Sequence, residues 1–519
     1  MAEKKSKRLM RHEVPEEITW NIADIFPNDE AWEQELKALE QDITEITQFK
    51  GKLGEGAEML AACLQAVEAF YKRLLKVGNY ASLQLSADGT SPDNQEKAAR
   101  VSSLQAKVAS ELTFLESELL ELPDDLVKTY LEDPALKSYI KYISDILETK
   151  PHRLSPETEA VLAALNEVHS APYMIYQRSK AADMEFEPIK DQDGNELAMS
   201  FALYEDLYEQ LPDTYLRREA AKSFEKTLKR YQNTFAGTYG TEVKKQVLLS
   251  KIRNYESVTD MLLQPQQVTR EMYYNQLDII QKELAPHMRR YAQLKKEQLG
   301  LEQMMFCDLK AQIDPDNDPK ISFEEARGLI LDALRILGDE YLEIIDQALH
   351  NRWIDLADNV GKSTGAFCAT VFGVHPFILM TWTDNMRSAF TLVHELGHAG
   401  HFALAEKYNN LLNLRPSTYL VEAPSTMNEL LLGNHILSQS DNVNMKRWVI
   451  MQYLGTYYHN FVTHLLEGEY QRRVYDAAES GRGITANLLN QLKGDVLSDF
   501  WGDAVEIDDL ARLTWMRQP

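Results

Sequence analysis

His394 and His398 stand four residues apart in the run Thr391-Leu-Val-His-Glu-Leu-Gly-His-Ala399, with Glu395 directly after the first imidazole. On an α-helix four residues make roughly 400° of turn and about 6 Å of rise, so both rings share one face. Two ring nitrogens so placed reach a single small cation at about 2.0–2.1 Å each. Glu395 points partly aside, beside such a cation rather than onto it, where a carboxylate can act as base toward a water. A surface helix with two hydrogen-bonded histidines would read the same way, but the neighbours argue against it. Ala389, Phe390, Leu392, Val393, Leu396, Ala399, Phe402, Ala403 and Leu404 make the helix apolar nearly all round, the pattern of a buried helix. A buried His-Glu-His run is costly without a partner. Gly397 is unfavourable inside a helix and makes sense where another backbone comes close.

The spacing is that of the H-E-x-x-H zinc sites, and a catalytic zinc takes three protein ligands and keeps one open position. His401 shares the helix face but lies about 10.5 Å along the axis from His394. One ion cannot bond both ends of that span, so His401 reads as a substrate wall, a packing residue or a support beyond the ligands. Glu422 and Glu429 are better candidates for the third ligand. They lie seven apart in a stretch that reads as a helix from Ser417 to about Ser438, with Pro424 in its first turn, where a missing N–H costs least. Leu420, Val421, Ala423, Leu430, Leu431 and Leu432 argue that neither is a plain surface carboxylate. Spacing alone leaves the choice between them open.

These residues need a scaffold, and helical periodicity recurs along most of the chain. Helices are expected from Glu30 to about Phe49, then at about 56–86, 93–121, 124–148, 156–169, 201–209, 213–234, 236–251, 269–299 and 322–348. Glycines, prolines and Asp/Asn clusters separate them. Residues 1–18 read as an exposed polar arm. The periodicity lapses at Met184–Ile189 and Asp191-Gln-Asp-Gly-Asn195, a hairpin signal. A domain change is therefore placed there, with an N-terminal helical domain over 1–195 and a catalytic domain over 196–519. Gly365–Phe372 and His375–Trp382 read as a pair of strands just before the metal helix. Such a strand is either plain core or an edge that takes an extended peptide by adding backbone hydrogen bonds. Asp384 or Asn385 then caps the helix. Gly361-Lys-Ser-Thr364 lacks the upstream glycine of a phosphate loop.

The 519 residues exceed one ordinary core. The net charge of −25 argues against nucleic-acid binding by counterion release. No apolar stretch approaches the length of a membrane helix, and Met1–Met10 lacks a signal-peptide core. The three cysteines, Cys63, Cys307 and Cys368, are widely spaced and form no metal pattern, which fits a reducing compartment. A cytoplasmic protein is expected. Oligomeric state leaves no mark in the sequence.

The chain resembles the oligoendopeptidase F branch of the thimet-oligopeptidase-like zinc peptidases. The resemblance is carried by Gly361-Lys362 with Gly365-Ala-Phe367, by Phe390-Thr-Leu-Val-His-Glu-Leu-Gly-His-Ala-Gly-His401, and by Val421-Glu-Ala-Pro-Ser-Thr-Met-Asn-Glu429. Gly502-Asp-Ala-Val-Glu-Ile-Asp508 and Trp20-Asn-Ile-Ala-Asp-Ile-Phe26 extend it over nearly the whole chain. It implies a mainly α fold, two helical halves around a deep substrate channel, with a small β-sheet beside the zinc-binding helix. It implies one Zn2+ per chain held by His394, His398 and Glu422, with Glu395 as general base. Glu429 then falls just outside the ligands, where it could bind a ligand imidazole and fix its tautomer. The activity implied is endopeptidase cleavage of short unstructured peptides. One departure is notable: similar proteins continue after Thr514–Pro519 with a His- and Tyr-rich stretch that binds the substrate carbonyl. Tyr453, Tyr457, Tyr458 and His459 sit at helical spacing and read as core or groove wall rather than substitutes for it. If the chain ends at Pro519, the alternative expectation is a peptide-binding protein with weakened catalysis.

Overall fold

The structure, a computed structural model, describes residues 8–517. Helices dominate and the sheets are small. The division into compact units does not follow the 195/196 boundary that the sequence suggests. One unit joins the chain through Lys150 to Asp318–Val449, and the other joins Pro151–Asn317 to the stretch from Ile450 onward. Each unit has its own hydrophobic core, and each core is drawn from two distant segments. In the first unit Trp20 packs edge-on against Phe377, with ring centroids 6.1 Å apart. Val371, Phe377 and Leu379 thereby enter a core built mainly by helices α1 (Asp29–Asp42) and α2 (Ala57–Ala87). The early helices bury their apolar faces against the later sheet, so a single cut in sequence cannot separate them.

The same unit holds α3 (Phe323–Leu334), α4 (Asp339–His350), α5 (Met386–Tyr408) and α6 (Ala423–Gln439). The expected helix over 322–348 is broken into α3 and α4 at Gly338, whose φ of 91° is open to glycine at little cost. A three-stranded sheet packs on α5. Its strands are β1 (Ile354–Asp355), β2 (Phe367–Ala369) and β3 (Phe377–Leu379), in the order β1-β3-β2. β3 is fully buried and runs parallel to β1, with Ile354 opposite Ile378. β2 pairs with it antiparallel, Cys368 opposite Ile378, and forms an edge. The β2–β3 pair was expected from its aromatic and β-branched content; the two-residue β1 is too short to leave an alternation.

The second unit is centred on the 39-residue helix Thr214–Ile252. It runs through the break expected near residue 235, because Phe235 and Ala236 are buried core residues rather than helix breakers. The Asp-Gly signal does form a hairpin, with Ile189–Lys190 pairing antiparallel to Glu196–Leu197. Among the described residues no helix is long and apolar enough to cross a membrane.

The described part of the expected arm is largely exposed but is docked rather than free; residues 1–7 lie outside the described residues. Leu9 bridges to Asn359 in parallel, and Arg8 pairs with Asp358 at 2.6 Å. Arg11 pairs with Asp355 at 2.5 Å. Asp355 also accepts from Lys362 Nζ at 2.7 Å, and the same ammonium donates to the carbonyls of Ala357 and Met380. Both Lys362 and Asp355 are buried, and the one carboxylate is shared by two cations at the root of the sheet. Breaking a buried pair by removing one partner costs about 3–5 kcal/mol. Asp355→Ala is therefore expected to lower the first urea-unfolding transition by that order, and a change below about 1 kcal/mol would contradict the pairing's role.

Candidate metal centre

Asn385 starts α5, as one of the two expected caps: its side-chain oxygen accepts from the Ser388 amide at 3.0 Å. Phe390, Leu392, Val393, Leu396 and Ala399 bury the helix against its neighbours. His394 and His398 emerge together on one face, with ring centroids 5.1 Å apart. The second helix begins later than expected. Ser417–Glu422 makes turns, and α6 starts at Ala423 with Pro424 in its first turn. Glu422 consequently sits at the helix cap rather than inside the helix. Ser425 Oγ, fully buried, bonds both the Glu422 carbonyl and its Oε2, each at 2.9 Å.

Gly397 is where α5 meets the start of α6. A Cβ at this position would lie 2.5 Å from Ser425 Cα and 2.8 Å from the Pro424 carbonyl oxygen. Only a residue without a side chain lets the two backbones approach this closely. The approach brings Glu422 Oε2 to 3.2 Å from His394 Nε2 and 3.3 Å from His398 Nε2. The three ligand atoms all lie within 4.8 Å of one another. A tetrahedral ion with bonds of about 2.0–2.1 Å sets its ligand atoms roughly 3.3 Å apart. Two imidazole nitrogens and one carboxylate oxygen at these separations fit zinc in both chemistry and spacing.

Glu429, seven residues or about two turns beyond Glu422, reaches His394 from the other side: its Oε1 lies 2.6 Å from Nδ1. A carboxylate there holds the ring proton on Nδ1 and leaves the Nε2 lone pair facing Glu422. Burial pulls the His394 imidazole down, while Glu429, Glu395 and Glu422 more than offset it, so its pKa lies above the ordinary histidine value. Among the described residues no carboxylate bonds the Nδ1 of His398; burial holds its pKa below the ordinary value despite Glu422. Glu395 is 6% exposed. Burial pushes its carboxyl up to about 7, with His394 opposing and Glu422 and Glu429 reinforcing the shift. Three carboxylates crowd two imidazoles, and a dication would offset two of the three negative charges.

His401 stays outside the group of three. Its ring stacks beside Phe402, and its Nδ1 is buried without a hydrogen-bond partner among the described residues. Two contributors escaped the sequence reading. Ser425 was visible only as a small polar residue in an apolar run. Asn428, 1% exposed, bonds the backbone of α5 through its Nδ2, which lies 3.2 Å from the Val393 carbonyl oxygen.

With this geometry established, comparison with known proteins is informative. A family model described as Peptidase family M3 matches residues 207–506, and one described as Oligopeptidase F matches residues 118–186. Oligopeptidase PepF of Bacillus subtilis is 32% identical over 519 residues, covering 100% of this chain and 77% of its own. Group B oligopeptidase PepB of Streptococcus agalactiae is 28% identical, covering 98% of this chain and 84% of its own. The crystal structure of oligoendopeptidase-F from Enterococcus faecium superposes with a TM-score of 0.68 at 26% identity, over 95% of this chain and 83% of that one. A Chlamydophila abortus structure reaches a TM-score of 0.91 over 99% of this chain and 86% of its own; at 24% identity it shows the shared fold.

Two substitutions test the geometry. Gly397→Ala forces α5 and α6 apart and is expected to cost about 1–3 kcal/mol in thermal unfolding, as overpacking does. Glu429→Gln keeps the shape but weakens the hold on the Nδ1 proton, and zinc affinity by calorimetry is expected to fall about 10–100-fold. Wild-type affinity in Glu429→Gln would separate Glu429 from the metal.

Proposed function

The chain belongs to peptidase family M3, and from that premise we propose a zinc-dependent endopeptidase of the oligoendopeptidase F type that cuts short unstructured peptides. It is a metalloendopeptidase, and its reaction is peptide-bond hydrolysis. The observation that most supports zinc is the convergence of His394 Nε2, His398 Nε2 and a Glu422 oxygen, all within 4.8 Å of one another and the carboxylate 3.2 and 3.3 Å from the two rings. In this reading the three hold one ion per chain. Bound there, zinc supplies Lewis acidity, which brings the ionisation of water near neutral pH and polarises a carbonyl.

The chain's own residues do the rest. Glu395 takes the proton of the attacking water on a carboxylate oxygen and passes it to the leaving amine nitrogen. Its burial supports this role, because a carboxylate withdrawn from bulk water is more basic than an exposed one. Glu429 fixes the tautomer of His394, and Ser425 orients the Glu422 carboxylate. Peptides as substrates are supported by the relatives, an oligopeptidase in B. subtilis and an oligoendopeptidase in E. faecium. β2 supports an extended substrate: it lies at the edge of the sheet that packs on α5, where a peptide backbone can add as a further strand. The three unpaired cysteines support a reducing, cytoplasmic setting.

A quenched fluorogenic peptide assay tests the reading. Cleavage is expected to stop with a zinc chelator and to return with one equivalent of zinc. Glu395→Gln is expected to keep its zinc and lose about 10²–10⁴ in kcat. Cleavage that persists in chelator, or full turnover by Glu395→Gln, would refute the assignment.

A further inference from the structure

We infer that Asn428, backed by Tyr341, is a positioning residue for the metal centre: it fixes the axial register between α5 and α6 and so sets where Glu422 and Glu429 meet the two imidazoles. The inference rests on the zinc reading above and adds to it two residues that touch neither the ion nor a ligand side chain.

The contacts form adjacent rungs between two helices. Asn428 Nδ2 lies 3.2 Å from the carbonyl oxygen of Val393, and the next residue, Glu429, holds Nδ1 of the next residue, His394, at 2.6 Å. A helical carbonyl accepts from the amide four residues on, here Gly397, and keeps a second lone pair. Asn428 occupies that lone pair one turn from the point where Gly397 meets Ser425. The register is thus fixed by a close backbone approach and by two directional bonds. A bond to a backbone carbonyl is the stiffer kind, since the acceptor cannot rotate away as a side chain can.

The second Nδ2 hydrogen of Asn428 goes to the Tyr341 hydroxyl at 2.8 Å. Tyr341 belongs to α4, and its ring lies over Gly400 on α5, where any Cβ would collide with it. One amide therefore ties α4, α5 and α6 together beside the ligands. A buried amide is costly unless its hydrogens are placed. An apolar residue of similar volume would fill the space, but without a bond to Val393 the helices would be free to slide. A slide along the axis moves the Glu422 oxygen off the point equidistant from both Nε2 atoms.

The test is Asn428→Leu in the full-length chain, with Tyr341→Phe as a milder variant. Each is loaded with zinc to measure Kd and with Co2+ to record the d–d absorption bands, which report ligand geometry. Asn428→Leu is expected to keep the circular dichroism of the metal-free wild type. Its zinc Kd should rise about 10–100-fold, the usual effect of losing a support beyond the ligands. Its Co2+ bands should move, and kcat should fall more than KM changes. Tyr341→Phe should shift Kd and bands the same way by less. Unchanged Kd and Co2+ bands in a folded Asn428→Leu overturn the inference while leaving the zinc reading intact. If Asn428→Leu does not fold, unchanged values in Tyr341→Phe overturn it. A wild-type chain that binds neither metal removes both the zinc reading and this inference.

Discussion

The absence of one side chain, at Gly397, governs the centre. The first two metal-binding candidates come from α5 and the third from the cap of α6, and these elements meet where a Cβ would fall 2.5 Å from Ser425 Cα. No spacing along a single helix can supply the third donor, since residues seven apart are separated by about 10.5 Å. A second element must come very close, and backbone contact is the closest approach that helices make. Around that contact the other features fall into place. Pro424 starts α6 without an unsatisfied amide, Ser425 donates to the Glu422 carboxylate, and Glu429 follows to reach His394.

Electrostatics makes the same arrangement unstable by itself. Glu395, Glu422 and Glu429 surround two imidazoles, and burial already pushes the Glu395 carboxyl up to about 7. Carboxylates this close disfavour one another's ionisation. A dication at the shared point of the two Nε2 atoms and the Glu422 oxygen would reverse the balance, attracting all three carboxylates at once. A filled centre would offset two of the three carboxylate charges. The Lys362–Asp355–Arg11 cluster at the root of the sheet is the opposite case, a buried carboxylate paired with cations of the protein itself.

The sequence carried some of this plainly and some not at all. α5 was legible because its apolar residues run round the whole helix and an asparagine precedes it. The antiparallel pair β2–β3 was legible from aromatic and β-branched content. β1 was not, since two residues carry no period. Glu422 and Glu429 could not be separated by spacing, because an ideal helix from 417 would put both on one face. What distinguishes them is that α6 begins only at Ala423, which leaves Glu422 at the cap, next to the contact with Gly397. The docking of Arg8, Leu9 and Arg11 was equally invisible: a polar stretch looks the same whether it meets solvent or a buried Asp355. The pairing of early helices with a late sheet, as in Trp20 on Phe377, was hidden for a related reason, since no local pattern records a partner so distant in sequence.

Zinc-edge anomalous diffraction from crystals of the full chain grown with one equivalent of zinc tests the central claim most directly. The account predicts a single strong peak per chain, about 2.0–2.2 Å from His394 Nε2, His398 Nε2 and one Glu422 oxygen. It predicts that Glu429 stays bonded to His394 Nδ1 and off the ion. A peak held by Glu429 or His401, or no peak between α5 and α6, would contradict it.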